Sequence, residues 1–272
     1  MIALLLFLQT VFETEPASAG ELCRKCHPGH YAERGSCSSC HLGNPASERR
    51  NIAHTQLISG RFARFTLGNG SEVQEGTRLI EQFACRRCHV IAGLGNRLSA
   101  NLDAAANLKK PEDLAGSILR PVRSMPDFRN GEREITAIVN ALLAASAKQR
   151  STDAGQPQVV HFSRSGKSGQ DIFSRLCGSC HSMLSERLGA LGSGSNIGPN
   201  LSGLYSPFYP KTFRDRTFWK EADLARWLKN PREIRTWSRM QPVNLTLLEL
   251  RELETVLIQH QRPSAGITGG KP

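Results

Sequence analysis

Aromatic residues are scarce, at 6% of 272. No stretch alternates β-branched and polar residues, so extensive sheet is not expected. Long apolar runs are missing as well. The run from Ile2 to Phe12 is too short to span a bilayer, and no other segment could cross one. It has the length of a signal-peptide core and is followed by Ala17-Ser18-Ala19, an A-x-A cleavage pattern. Residues 1–19 are therefore expected to be a signal peptide cleaved after Ala19. The positive charge usual before such a core is missing, which leaves open an upstream start or a short retained anchor. Leu22 stands where lipidation of Cys23 would want a small residue, which argues against that modification. Acidic residues are outnumbered, 24 against 35 Lys and Arg, for a formal charge of +11. The expected leader holds Glu13 and Glu15 but no Lys or Arg, so the mature chain is more basic still. Such a charge suits solubility, docking to an acidic partner or an anionic membrane surface. Nucleic acid is not expected, because no motif for it is present and export removes the usual opportunity.

No cysteine is left outside one pattern. All eight lie in four C-x-x-C-H runs: Cys23–Cys26–His27, Cys37–Cys40–His41, Cys85–Cys88–His89 and Cys177–Cys180–His181. This is the spacing of c-type haem attachment, in which both thiols add to the porphyrin and the adjacent histidine takes the iron. A Cys₄ zinc knuckle of Cys23, Cys26, Cys37 and Cys40, or a set of disulfides, would account for the cysteines. Neither explains why a histidine follows the second cysteine four times. The expected cofactors are four covalently bound haem c. Haem is itself apolar core, which a small domain otherwise lacks.

The organisation follows from the motifs. Residues 20–68 hold two of them close together, a dihaem module. Residues 69–147 and 169–262 repeat one plan. In each, a helical approach leads into the motif (Gly76–Ala84 and Gly169–Leu176). A loop with Asn101-Leu102 or Asn200-Leu201 comes next, then a short helix leading to Pro121 or Pro231, then Met125 or Met240. Each closes with an amphipathic helix. Ile135, Ile138, Val139, Leu142 and Leu143 form one stripe, and Leu250, Leu253, Val256 and Leu257 the other. Thr246 and Glu249 make a capping-box pattern before the second. Residues 148–168, rich in Ser, Gly, Gln and Lys, read as a linker, and 263–272 as a flexible tail. The expected class is mainly α: an N-terminal dihaem module with little regular structure, followed by two helical domains.

Those two domains resemble class I cytochrome c domains. The resemblance rests on Gly198-Pro199-Asn200-Leu201, Trp219, Met240, and Met125-Pro126-Asp127-Phe128. It implies that Met125 and Met240 are distal iron ligands, and that the carbonyl of Pro199 orients His181. In the earlier domain Ala100 occupies the proline position, where a backbone carbonyl could still serve. The N-terminal module is similar in general terms to multihaem cytochromes with paired bis-histidine haems. Its spare histidines are His30 and His54. Reach favours His30 for the second haem and His54 for the first, without settling the assignment. Met183, His161 and His260 read as non-ligating. Trp227 and Trp237 read as core, and the aromatics from Tyr205 to Trp219 as a haem wall. Arg24, Lys25, Arg86 and Arg87 read as exposed basic docking rims.

Methionine ligation raises haem potential relative to two histidines. The expectation is thus a periplasmic electron relay from a low-potential donor to a higher-potential acceptor, with no catalytic residue. The partners would be redox proteins with acidic docking surfaces, among them a membrane quinol-oxidising complex. The competing reading is an enzyme of the dihaem peroxidase type, which needs one openable haem.

Overall fold

The computed structural model describes residues 21–68, 70–122, 124–149, 171–193 and 197–258. The expected signal peptide and tail, nearly all of the linker, His161 and His260 lie outside them. The chain divides into two compact units, Met1–Ala63 and Arg64–Pro272. Among the described residues no helix is long and apolar enough to cross a membrane.

The first unit has little regular structure: the short helices α1 (Glu21–Arg24), α2 (Cys37–His41) and α3 (Arg50–Ala53), with 3₁₀ turns between and after them. Its buried apolar side chains are Ile58, Phe62 and Ala63 among those described.

The second unit is mainly helical. Its first half holds α4 (Ser71–Gln82), α5 (Leu102–Leu108), α6 (Pro111–Leu119) and α7 (Glu132–Gln149). Helix α4 turns Val73, Gly76, Leu79 and Ile80 inward at helical spacing. Against them pack Ala137, Ile138, Ala141 and Leu142 of α7, with Ile91, Phe83 and Cys85 in the same cluster. The crossing is close because of Gly76. A Cβ there would stand 1.9 Å from the carbonyl oxygen of Ala137 and 2.8 Å from the Ala141 Cβ. Helix α6 starts with proline in its first turn, where the missing N–H costs nothing.

The second half holds α8 (Ile172–Leu176), α9 (Glu221–Lys229), α10 (Pro231–Ile234) and α11 (Leu247–Leu257). It also contains the one sheet among the described residues. Strands β1 (Met183–Ser185) and β2 (Gly189–Leu191) pair antiparallel, with Met183 opposite Leu191. The composition hid this hairpin because each strand is three residues long. Met183 is buried in the core with Ile172, Phe173, Trp219, Trp227 and Val256, as packing. Thr246 caps α11: its hydroxyl accepts from Glu249 N–H, and the Glu249 carboxylate accepts from Thr246 N–H.

Candidate haem sites

Each C-x-x-C-H run is a single helical turn. The histidine N–H bonds the carbonyl of the first cysteine at 3.0 Å in His27, 3.1 Å in His89 and 2.9 Å in His181, and the second motif forms α2. One turn brings both sulfurs and the imidazole to the same end of the segment, as attachment to one porphyrin requires. Before Cys85 the chain breaks out of α4 through Ala84, which is left-handed at φ 51°.

Three of the four motif histidines are seated by a backbone carbonyl. Nδ1 lies 2.8 Å from Ala100 O in His89, 2.8 Å from Pro199 O in His181 and 3.0 Å from Ile58 O in His41. With Nδ1 the donor, Nε2 keeps its lone pair for a metal. Ala100 thus serves as well as the proline it replaces. The Ile58 seat had no signal in the sequence, since any residue offers a carbonyl. Burial keeps the pKa of His89 below the ordinary value, against the opposing pull of Ala100 O; both the seat and the burial suit a neutral ligand. Gly198 lies flat on the His181 ring: a Cβ there would stand 2.4 Å from Cε1 and 2.5 Å from Nδ1.

The spare histidines of the first unit sit opposite motif histidines. His30 Nε2 and His41 Nε2 are 3.4 Å apart, with the rings edge-on at 83°. Metal–imidazole distances of about 2.0–2.1 Å put two trans nitrogens about 4 Å apart, so this pair is close to the separation that spans a metal. His27 and His54 rings lie 6.0 Å apart between centroids. The structure thus brings together His30 with His41 and His27 with His54.

In the second unit, Phe128 stacks on Phe83 at 4.8 Å, which draws the Met125 segment toward the approach to Cys85. The side chain of Met125 is half-buried. The Nδ2 of Asn130, in the same segment, is buried with no partner. Asp103, which the sequence did not flag, is buried and accepts from the N–H groups of Ala92 and Gly93, fixing the turn after His89. In the later half, Trp227 Nε1 donates to the Met240 sulfur at 3.1 Å. Trp227 packs edge-on against Trp219, and Trp219 against Phe213. The aromatic wall is therefore present in part, but Phe218 is exposed beneath Lys211.

Two expectations need correction. Trp237 is 76% exposed and not core; it follows α10 in a turn and carries the Arg235 guanidinium over its ring at 4.9 Å. Arg86 and Arg87 are not free basic rims. The Arg86 side chain is only 17% exposed, pairs with Glu81 and donates to Ile91 O. Arg87 donates to Asn200 O. Charge inside a motif gives no hint of a tertiary partner, so the sequence alone points to exposed docking rims at both positions. Arg24 and Lys25 are exposed, and Lys25 pairs with Glu48.

Among the described residues no two cysteines are joined by a disulfide. Among the described residues no group of three or more His, Cys, Asp and Glu is placed to hold a metal ion by itself, so the zinc knuckle does not assemble. Burial pushes the thiols of Cys85 and Cys177 up to about 11 and that of Cys88 upward. The donor set fits haem instead: paired thiols on one turn and an imidazole seated through Nδ1.

Comparison with known proteins agrees. The family model described as cytochrome C oxidase, cbb3-type, subunit III matches residues 71–140. The matched span runs from the start of α4 through Cys85–His89 and Met125 into α7. It supports a c-type cytochrome domain there, with covalently bound haem c and electron transfer as the activity it suggests. No curated protein and no solved structure gives a significant match.

Proposed function

We propose that this chain is a periplasmic tetrahaem c-type cytochrome that relays electrons from a low-potential donor, such as a quinol-oxidising membrane complex, to a higher-potential acceptor. Bound haem would supply the one-electron iron couple at each motif. Cys23, Cys26, Cys37, Cys40, Cys85, Cys88, Cys177 and Cys180 would hold the four groups covalently. His27, His41, His89 and His181 would be the proximal ligands. His54 and His30 complete the first two sites, and Met125 and Met240 the other two. The single observation that carries this reading is the approach of His30 Nε2 to His41 Nε2 at 3.4 Å. A spare histidine brought to a motif histidine fills the distal side rather than leaving it open.

The ligand types set the order of potential. Histidine pairs favour the ferric state, whereas a thioether raises the potential. Trp227 N–H bonding the Met240 sulfur would withdraw density from that ligand and push the last site higher. Electrons would then run downhill from the N-terminal pair to the C-terminal site. The excess of basic residues favours acidic redox partners. The protein would be extracytoplasmic, with any hold on a membrane coming through a partner or an uncleaved N-terminus.

Mass spectrometry of the mature protein after acid–acetone extraction tests the count: four haem additions are expected, and fewer would overturn the motif concerned. Low-spin ferric spectra at all four irons are expected. A high-spin, five-coordinate iron would favour a peroxidase-type enzyme instead.

A further inference from the structure

The two halves of the second unit meet along a buried polar seam, made by residues 87–96 of one and 200–209 of the other. Asn96 Nδ2 donates to Arg87 O at 2.9 Å in its own half and to Ser206 Oγ at 2.8 Å in the other. Asn96 and Ser206 are both buried. Gly203, at φ +72°, lies so close that a Cβ would stand 2.7 Å from Asn96 Nδ2 and 2.8 Å from Arg87 O. Backbone in contact with backbone, around a satisfied buried network, specifies one arrangement.

Arg87 reaches across this seam to Asn200, the residue after Pro199. Every polar group of the Asn200 side chain and its carbonyl is held. Its Oδ1 accepts from Ser202 N–H at 2.9 Å, and its Nδ2 donates to Ser182 Oγ at 3.3 Å. Its carbonyl accepts from the Tyr209 hydroxyl at 3.2 Å and from Arg87 Nη1 at 3.2 Å. The guanidinium also lies over the Tyr209 ring, 5.9 Å from its centroid. Pro199 O, one peptide away, seats His181.

The other half shows why this donor is needed. Asn101 follows Ala100, whose carbonyl seats His89. A helix begins at once, so Asn101 O accepts from Ala105 N–H at 3.0 Å and the Asn101 side chain caps α5. No helix begins at Asn200, where the chain runs on into turns. Its carbonyl would otherwise lack a donor, and one of the two it finds comes from the neighbouring haem motif.

We propose that Arg87, a residue of the Cys85–His89 motif, is a positioning residue for the other haem of this unit: by fixing Asn200 it fixes the Pro199 carbonyl that orients His181, and so sets the potential of the haem at Cys177–His181. The inference rests on the haem reading of both motifs. A firm Nδ1–H···O bond makes the imidazole a stronger donor to iron and favours the ferric state. Loosening it raises the potential.

The test uses the full haem-loaded protein. Arg87→Lys keeps the charge but loses the planar fork, and Tyr209→Phe removes the second donor from the same carbonyl. Mass spectrometry first confirms four haems in each variant; a shortfall in the wild type would sink the haem reading, not this inference. Redox titration then follows the haem assigned through Met240→His. Its midpoint should rise in Arg87→Lys and in Tyr209→Phe, and rise further in the double variant. The midpoint of the haem at Cys85–His89 should move less in each. Solvent exchange of the His181 ring proton should quicken in parallel, a readout that loss of packing elsewhere would not give. Two results would overturn the inference: a Cys177–His181 haem whose midpoint and ring-proton exchange stay at wild-type values in both single variants, or a shift confined to the haem that carries Arg87.

Discussion

Replacing Gly76 by alanine should destabilise the second unit, although alanine is the better helix former. The added Cβ would lie 1.9 Å from Ala137 O, where a carbon–oxygen contact normally needs about 3.3–3.6 Å. The obstacle is backbone, so no rotamer change relieves it, and α4 and α7 must part by more than about 1 Å. A gap of that order forfeits at least a quarter of each contact's attraction. Leu79, Ile80, Ile138 and Leu142, all at most 5% exposed, line that crossing. Their burial is worth about 1.5–3 kcal/mol each, so losing a quarter costs about 1.5–3 kcal/mol. Helix propensity returns about 0.8–1.0 kcal/mol. The net loss is about 0.5–2 kcal/mol, or a fall of about 1–8 °C in melting temperature for a unit of this size. Gly116, inside α6, is the internal control. A Cβ there meets only Arg120 Nη2, at 3.9 Å, so Gly116→Ala should stabilise by about 0.5–1 kcal/mol. Thermal unfolding followed by circular dichroism on the haem-loaded protein measures both. A Gly76→Ala melting point at or above wild type would refute the close-crossing argument.

Met125→His and Met240→His should each lower the midpoint of one haem in a redox titration and abolish its thioether–iron absorption band; unchanged spectra in both would remove methionine from the ligand set. His30→Met should raise one midpoint, and if His30 is the partner of His41 the affected haem is the one at Cys37–His41, as resonance Raman of the axial bonds would show. Thr246→Ala should cost about 1 kcal/mol. Hydrogen bonds from Thr246 hold the Glu249 carboxyl below the usual carboxylate range, so its contribution is fully present above the ordinary carboxylate pKa and is lost as pH falls through the depressed value. Denaturant midpoints across an acid pH series should show a shallower acid limb in Thr246→Ala. Electron exchange with an acidic redox partner should slow as salt rises, and stopped-flow rates flat in salt and in concentration would point to a permanent complex instead.

The motifs were legible because everything they require is local: two thiols and an imidazole on one turn are written in five consecutive letters. The closing helices were legible for the same kind of reason, since Ile135, Ile138 and Leu142 repeat at helical spacing. His30 could be assigned a plausible partner from reach alone, because a residue three positions from His27 cannot span that haem. What stayed hidden depends on contacts distant in sequence. Arg87 and Asn200 are 113 residues apart, and nothing near Arg87 marks it as spoken for. The exposure of Trp237 was hidden too, because hydrophobic character favours burial without fixing a residue's place in a turn. The β1–β2 hairpin is too short to impose a period-two pattern. Gly76 looked like an ordinary helical residue until the α7 backbone was seen against it.

The contact between His30 and His41 bears on how the protein is made. With their nitrogens 3.4 Å apart, His30 and His41 stand as two rings that would clasp one haem from its opposite faces. On the proposed function, the thiols of Cys37 and Cys40 must capture their haem while the segment holding His30 is still open, and that imidazole must close last. Among its described residues the first unit buries few apolar side chains, Ile58, Phe62 and Ala63, to hold it folded beforehand. Its folding and its cofactor loading are then one event, as in small metal-dependent domains. A cell short of haem would not accumulate an idle, folded apoprotein. On the proposed function, the N-terminal segment made without haem would remain unfolded and open to proteases, so haem supply would govern how much of the protein survives.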